Sequence, residues 1–350
     1  NKIENIVLSA NWMSPFSNND DKYNLYKMVE RAAFLSNKFN ISIPVGKDSL
    51  SMATTWKNND FQINVKSPNT LVCSSFAGLS DLKHLPVGFK NKNNSSVIYV
   101  NLGAKDRRMG GSVISQIYDI HEKKCPKLDN VENFIFVIEL LQSMHEKNKI
   151  VSYHDISDGG LLTTIAECCF AGHTGMSINI DKNFEINKFL FSEELGFVVQ
   201  IEDKFLADFY MSLNSKVIEH YELGKVNSKY VLEIKNYKKI IYSNSIEKLH
   251  KIWHKNSFQI QLLRDNPKTS NDEFEKVGKK NLKGLYIKTN NNNKKKIINT
   301  KLKPKIAILK EQCVNGHYEM AQAFSMAGFD SYDVNMNSII QKSFKLDNFQ

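Results

Sequence analysis

The chain has 350 residues, 41% of them hydrophobic and 24% charged, a composition of ordinary folded protein that excludes global disorder. The length allows about two domains at ~150 residues each, and no run approaches the ~18 apolar residues of a membrane-spanning helix. The net charge of +10 is nearly all lysine, with arginine only at positions 31, 107, 108 and 264, too few for the guanidinium forks that favour base and phosphate recognition, so nucleic acid is not an expected partner.

The first residues, Asn1-Lys2-Ile3-Glu4-Asn5, have neither an initiator Met nor the layout of a signal peptide, so a cytoplasmic chain and a piece of a longer protein are expected. Residues 6–10 read as a short strand, and residues 23–39 carry Leu25, Val29, Ala32, Ala33, Leu35 and Phe39 at helical spacing. A strand over 41–45 then leads into Gly46-Lys47-Asp48-Ser49, expected to form a turn. This is not a P-loop, because position 41 is Ile where the motif needs Gly and position 48 is Asp where it needs a hydroxyl residue. What remains is a possible phosphate or metal contact, or a solvated turn. Another strand is expected over 71–77, and a polar stretch ending at Ser95-Ser96 marks a domain boundary.

Beyond that boundary a strand at 97–102 opens an alternation of helices and strands: helices at 112–120, 131–147, 161–170 and 205–212, strands at 150–153, 177–180 and 196–201. Such alternation predicts an α/β domain. Between the strand at 150 and the helix at 161 lies YHDISDGG, residues 153–160. A glycine-rich turn between strand and helix can gather backbone N–H groups on an anion, and Asp155 could hold Mg²⁺ while Ser157 donates to phosphate. Equally, Ser157 or Asp158 could simply cap the helix while the glycines permit the turn. The residues alone leave both readings open. Gly110-Gly111-Ser112 gives a weaker anion signal at a helix start, and Glu193-Glu194 reads as a solvated turn. Of the five cysteines, Cys73, Cys125, Cys168, Cys169 and Cys313, none has the spacing of a disulfide framework or zinc site, so all are expected as free thiols. After position 256 the pattern weakens, residues 290–305 form an Asn/Lys-rich linker, and a fresh strand (306–309), helix (318–327) and strand (330–334) open another α/β unit.

Together, LSANWM (8–13), IPVGKDSLSM (43–52), YHDISDGGLL (153–162), EELGFVVQI (193–201), LRDNP (263–267) and PKIAILKEQCVNGHYEMAQAFSMAGFD (304–330) resemble, in order, the phosphoribosylformylglycinamidine synthase family in its large single-chain form. The resemblance implies an ATP-dependent carbon–nitrogen ligase of purine biosynthesis, with α+β repeats of the aminoimidazole ribonucleotide synthetase type followed by a class I glutaminase domain. Its reactants would be formylglycinamide ribonucleotide, glutamine and ATP, the parent chain monomeric. It implies that residues 1–94 are part of the N-terminal subdomain of the second repeat, 95–250 its C-terminal subdomain, 251–303 a connecting segment and 304–350 the opening of the glutaminase. Carried over position by position, Asp155 matches a Mg²⁺ ligand and Ser157 a nucleotide contact, in a site thought to retain ADP structurally. Gly46 and Ser49 match a substrate- or phosphate-contacting turn, in which Lys47 replaces the family's Asn. The other Mg²⁺ ligands, the catalytic ATP site and the glutaminase nucleophile are expected outside this stretch, with no catalytic residue among these 350 and no turnover by them alone. Cys313 falls at a usual Gly position and is no substitute nucleophile. The rival expectations are a related ATP-using enzyme of the same fold without a glutaminase, and a non-catalytic nucleotide-binding scaffold.

Overall fold

The computed structural model describes residues 3–58, 61–78, 86–180, 184–237, 239–282, 302–311, 314–347 and 349. Most of the Asn/Lys-rich linker and Cys313 therefore lie outside the described residues. The chain divides into two compact units, residues 1–282 and 283–350.

The first unit begins with β1 (Ile6–Met13), α1 (Asn19–Phe39) and β2 (Ser42–Ser49). Asn18 caps α1 through a capping box with Asp21, and Asn40 ends it in the left-handed conformation that Asn tolerates. The crossover places β2 parallel to β1, pairing Ala10 with Gly46 and Met13 with Ser49. This corrects the expected turn at 46–49: the polar residues continue the ladder because their backbone pairs with β1. A hairpin of β3 (Ala53–Asn58) and β4 (Phe61–Lys66) follows, and then β5 (Thr70–Ala77), antiparallel to β1.

The rest of the unit is built on a mixed seven-stranded sheet. Its elements in chain order are β6 (Ser95–Asn101), α2 (Val113–Ile117), α3 (Val131–Glu146), β7 (Ile150–Asp155), α4 (Gly160–Gly172), β8 (Gly175–Ile180), α5 (Ile186–Phe191), β9 (Gly196–Glu202) and α6 (Leu206–Ser215). Then come β10 (Glu219–Asn227), β11 (Val231–Asn236), β12 (Lys239–Ser245), α7 (Ile246–Arg264) and α8 (Pro267–Phe274). The strand order is β12-β11-β8-β10-β6-β9-β7, antiparallel throughout except for the parallel β8–β11 pair.

Strand alternation sorts the core into two layers, since successive residues face opposite sides of a sheet. Val97, Tyr99 and Val198 face one side with Leu161, Ile165 and Cys168 of α4 and Phe189 of α5. Ile98, Val100, Phe197 and Val199 face the other with Val137 and Leu141 of α3 and Phe209 of α6. Strands β6 and β9 are buried on both faces, hence their continuous apolar runs.

The described cysteines are all free thiols; Cys73 and Cys125 are exposed, whereas Cys168 and Cys169 are buried. Burial pushes the Cys169 thiol up to about 12 and raises that of Cys168 as well. Alkylation of the native chain by iodoacetamide, read by peptide mass spectrometry, is expected to label Cys73 and Cys125 and spare Cys168 and Cys169 until urea unfolds the sheet. Rapid native labelling of Cys168 would contradict this packing.

The second unit contains β13 (Lys305–Lys310), α9 (His317–Met326), β14 (Asp330–Asn335) and α10 (Met336–Ile340). Strands β13 and β14 pair in parallel around α9, and Ile308 and Val334 are its buried strand residues. Among the described residues no helix is long and apolar enough to cross a membrane.

Candidate functional site

Register determines which loops meet. Asn101 pairs with Gly196 and Asp155 with Phe197, so the C-terminal ends of β6 and β7 and the start of β9 share one end of the sheet. The start of β10 joins them, Glu219 opposite Asn101. Three segments converge there: the loop 102–112, the turn 156–159 and the segment 192–195.

In the turn, β7 runs on through His154 to end at Asp155, whose carboxylate is exposed. The His154 ring lies between two carboxylates, with Nδ1 3.5 Å from Asp155 Oδ1 and Nε2 3.6 Å from Glu167 Oε2; Nδ1 also lies 2.7 Å from the Asp155 carbonyl oxygen. The hydrogen bond with Asp155 raises the His154 pKa and lowers that of Asp155, so the carboxylate is ionised at neutral pH. Ser157 and Asp158 are exposed, and neither caps α4. The cap position is Gly159, at φ +85°, with no side-chain bond to the helix start, so the expected capping role is not borne out. Instead the Ser157 carbonyl accepts the Gly160 N–H at 3.0 Å, leaving the Ser157 hydroxyl exposed.

The segment 192–195, expected as a solvated turn, clamps the site. Glu194 is fully buried and accepts three bonds from Arg108: from its backbone N–H at 2.9 Å, Nε at 2.6 Å and a terminal nitrogen at 2.7 Å. Arg108 also meets Asp129 at 2.9 Å. A side chain at Gly103 would collide with Glu194, so that glycine is the space the carboxylate fills. Beside it, Arg107 is buried over the rings of Phe184, Phe189 and Tyr221 and reaches Glu219 at 3.3 Å. The sequence signal for these residues was thin. A Glu-Glu pair before an apolar strand and an Arg-Arg pair in a glycine-flanked loop carry no mark of pairing with each other.

Gly46 and Ser49 lie in the separate β2-β1-β5 sheet, and no hydrogen bond or ion pair joins them to Asp155 or Ser157. A Cβ at Gly46 would strike the Ala10 carbonyl of β1, so close strand approach accounts for that glycine. The Lys47 ammonium donates to the Ser49 hydroxyl at 3.2 Å.

Among the described residues no three His, Cys, Asp or Glu side chains gather into a metal cage. Magnesium does not require one, since it takes one or two carboxylates, phosphate oxygens and waters. A single exposed, ionised Asp155 at a strand end fits that demand.

Three family models match the chain: an FGAR-AT PurM_N-like domain over residues 1–78, an AIR synthase related protein C-terminal domain over 95–235, and a CobB/CobQ-like glutamine amidotransferase domain over 303–350. Across 99% of its length the chain is 36% identical to phosphoribosylformylglycinamidine synthase of Schizosaccharomyces pombe, and it spans 27% of that protein. Among solved structures, PurL of Thermotoga maritima complexed with ATP is 15% identical at a TM-score of 0.49, covering 70% of this chain and 37% of that one. HypE of E. coli, a hydrogenase maturation protein, is 13% identical at a TM-score of 0.48, covering 67% of this chain and 71% of that one.

Proposed function

We propose, since the chain belongs to the phosphoribosylformylglycinamidine synthase family, that it forms the part of such an enzyme that holds a magnesium nucleotide at the 155–160 turn. The parent reaction is the conversion of formylglycinamide ribonucleotide, glutamine, ATP and water to formylglycinamidine ribonucleotide, glutamate, ADP and phosphate, in the cytoplasm and by a monomeric chain. The observation that carries the nucleotide reading is the placement of Asp155: an ionised, exposed carboxylate at a strand end, four residues before a pair of glycines in the left-handed conformation.

Each residue then has a limited task. Asp155 would hold Mg²⁺, which when bound offsets phosphate charge, and the exposed Ser157 hydroxyl would donate to a phosphate oxygen. The phosphate-facing turn needs no covalent chemistry of its own, because phosphoryl transfer rests on positioning and charge neutralisation. Ser49, with Lys47 beside it, serves as a substrate-phosphate contact of the other sheet, and Gly46 lets the strand carrying it approach β1. The domain division at 94, 250 and 303 belongs to the same reading. The amidotransferase match over 303–350 favours it over a related ATP-using enzyme without a glutaminase.

Isothermal calorimetry of the chain with ADP, with Mg²⁺ and with Mg²⁺ removed by EDTA, tests the assignment. Wild type is expected to bind Mg-ADP, and Asp155→Ala to bind it about tenfold or more weakly, as loss of a charged ligand contact implies. Equal affinity of the two proteins, or wild-type binding indifferent to EDTA, would remove Asp155 from the metal role.

A further inference from the structure

Two glycine-marked turns precede helices at this end of the sheet, residues 110–112 before α2 and 157–160 before α4. One carboxylate oxygen satisfies an amide at the start of each helix. Glu193 Oε1 accepts the Val113 N–H at 2.8 Å and the Gly159 N–H at 2.9 Å. Val113 is the first residue of α2 and Gly159 the cap position of α4, so the carboxylate lies where both helix starts carry partial positive charge.

Its neighbours hold Glu193 in place. The Ser192 hydroxyl donates to the Arg108 carbonyl at 3.3 Å, Glu194 grips the Arg108 side chain, and the Leu195 carbonyl accepts the Leu102 N–H at 2.8 Å. The first residue of the turn is fixed, Ile156 being buried with its N–H on the Gly196 carbonyl at 2.8 Å, whereas residues 157–159 have less of their own to hold them against this frame. No side chain caps α4, and Gly159 and Gly160 both sit at positive φ without a Cβ to restrict their backbone. Glu193 therefore carries the stiffness of the Arg108 loop into the turn that holds Asp155 and Ser157.

We infer that Glu193 is a positioning residue of the nucleotide site, tying the 155–160 turn to the start of α2 so that Asp155 and Ser157 are held ready for the phosphates. This rests on the nucleotide reading above. Glu193 acts through the Gly159 amide, and its task requires an acceptor oxygen at that place more than a full charge. Glu193→Gln keeps the acceptor, whereas Glu193→Ala removes it.

The test joins Mg-ADP calorimetry to amide hydrogen exchange on the full chain, for wild type, Glu193→Gln and Glu193→Ala. Expected are an affinity within about threefold of wild type for Glu193→Gln and about tenfold weaker for Glu193→Ala, the scale of one lost hydrogen bond. Exchange should quicken in Glu193→Ala over residues 156–162 and 109–114, with the buried strands β6 and β9 unchanged. Wild-type affinity in Glu193→Ala, or exchange unaltered in both segments, overturns the inference. Loss of affinity accompanied by faster exchange throughout β6 and β9 also overturns it, because the effect would then be general unfolding. A wild-type chain that binds no Mg-ADP overturns the nucleotide reading itself, and the inference with it.

Discussion

Replacing Glu194 with alanine is expected to destabilise the seven-stranded part of the chain by about 3–5 kcal/mol, the scale of breaking a buried ion pair by removing one partner. The Glu194 side chain is wholly buried and that of Arg108 only 7% exposed, so the guanidinium left behind could not recover its lost bonds from water. Its bond to Asp129 persists in the variant, but Asp129 lies nearer solvent and replaces none of the three bonds to Glu194. Urea unfolding followed by exchange of the β6 and β9 amides checks the prediction, and a loss below about 1 kcal/mol would contradict it. Replacing both Arg108 and Glu194 with methionine is expected to recover more than half of the loss, since a buried pair stabilises little relative to well-packed apolar side chains. The pair then matters chiefly for what it orders: Arg108 and Glu194 fix the loop and the segment from which Glu193 reaches the turn.

That clamp shows where the sequence was readable and where it was not. Strands β6 and β9 were legible because burial on both faces leaves unbroken apolar runs, and α1, α3 and α4 because their apolar residues recur with helical spacing. The turn at Asp155 was legible as a strand, a carboxylate and glycines in succession. The β3–β4 hairpin was missed although Phe61, Ile63 and Val65 alternate with polar residues along β4; β3 carries no such alternation, and both strands are almost wholly exposed. Strand β10 is interrupted by Gly224 at φ +137°, where its pairing register with β6 shifts, and mixes His, Glu and Lys with its apolar residues. Residues 46–49 had the composition of a turn, but backbone pairing with β1, set by a crossover helix, decided their conformation. Glu194 was the costliest misreading. Its partner Arg108 stands 86 positions away, and only the antiparallel register of β6 with β9 brings the two together.

Gly160→Ala is expected to cost about 2–5 kcal/mol, more than the same change one residue earlier. Both glycines have positive φ, +85° at Gly159 and +71° at Gly160, so alanine meets a conformational penalty of about 1–2 kcal/mol at either. What differs is the obstacle. A methyl group at Gly160 would lie 2.6 Å from the Ser192 carbonyl oxygen and 2.8 Å from the Phe191 carbonyl carbon, backbone atoms held by the Arg108 clamp. Overpacking against atoms that cannot rotate away adds about 1–3 kcal/mol. At Gly159 the methyl group would meet the Thr163 hydroxyl, which can rotate away, and the Thr163 Cβ at 2.9 Å, which cannot, so Gly159→Ala should cost about 1–3 kcal/mol, still less than Gly160→Ala. Urea unfolding of the two variants side by side tests the distinction, and equal losses would mean that the 192–195 segment yields. The same collision has a functional reading: a methyl at Gly160 pushes on Ser192, the residue next to Glu193, so Gly160→Ala should also weaken Mg-ADP binding in the folded chain. A Gly160→Ala protein of normal affinity would show that the turn can shift without carrying Asp155 with it.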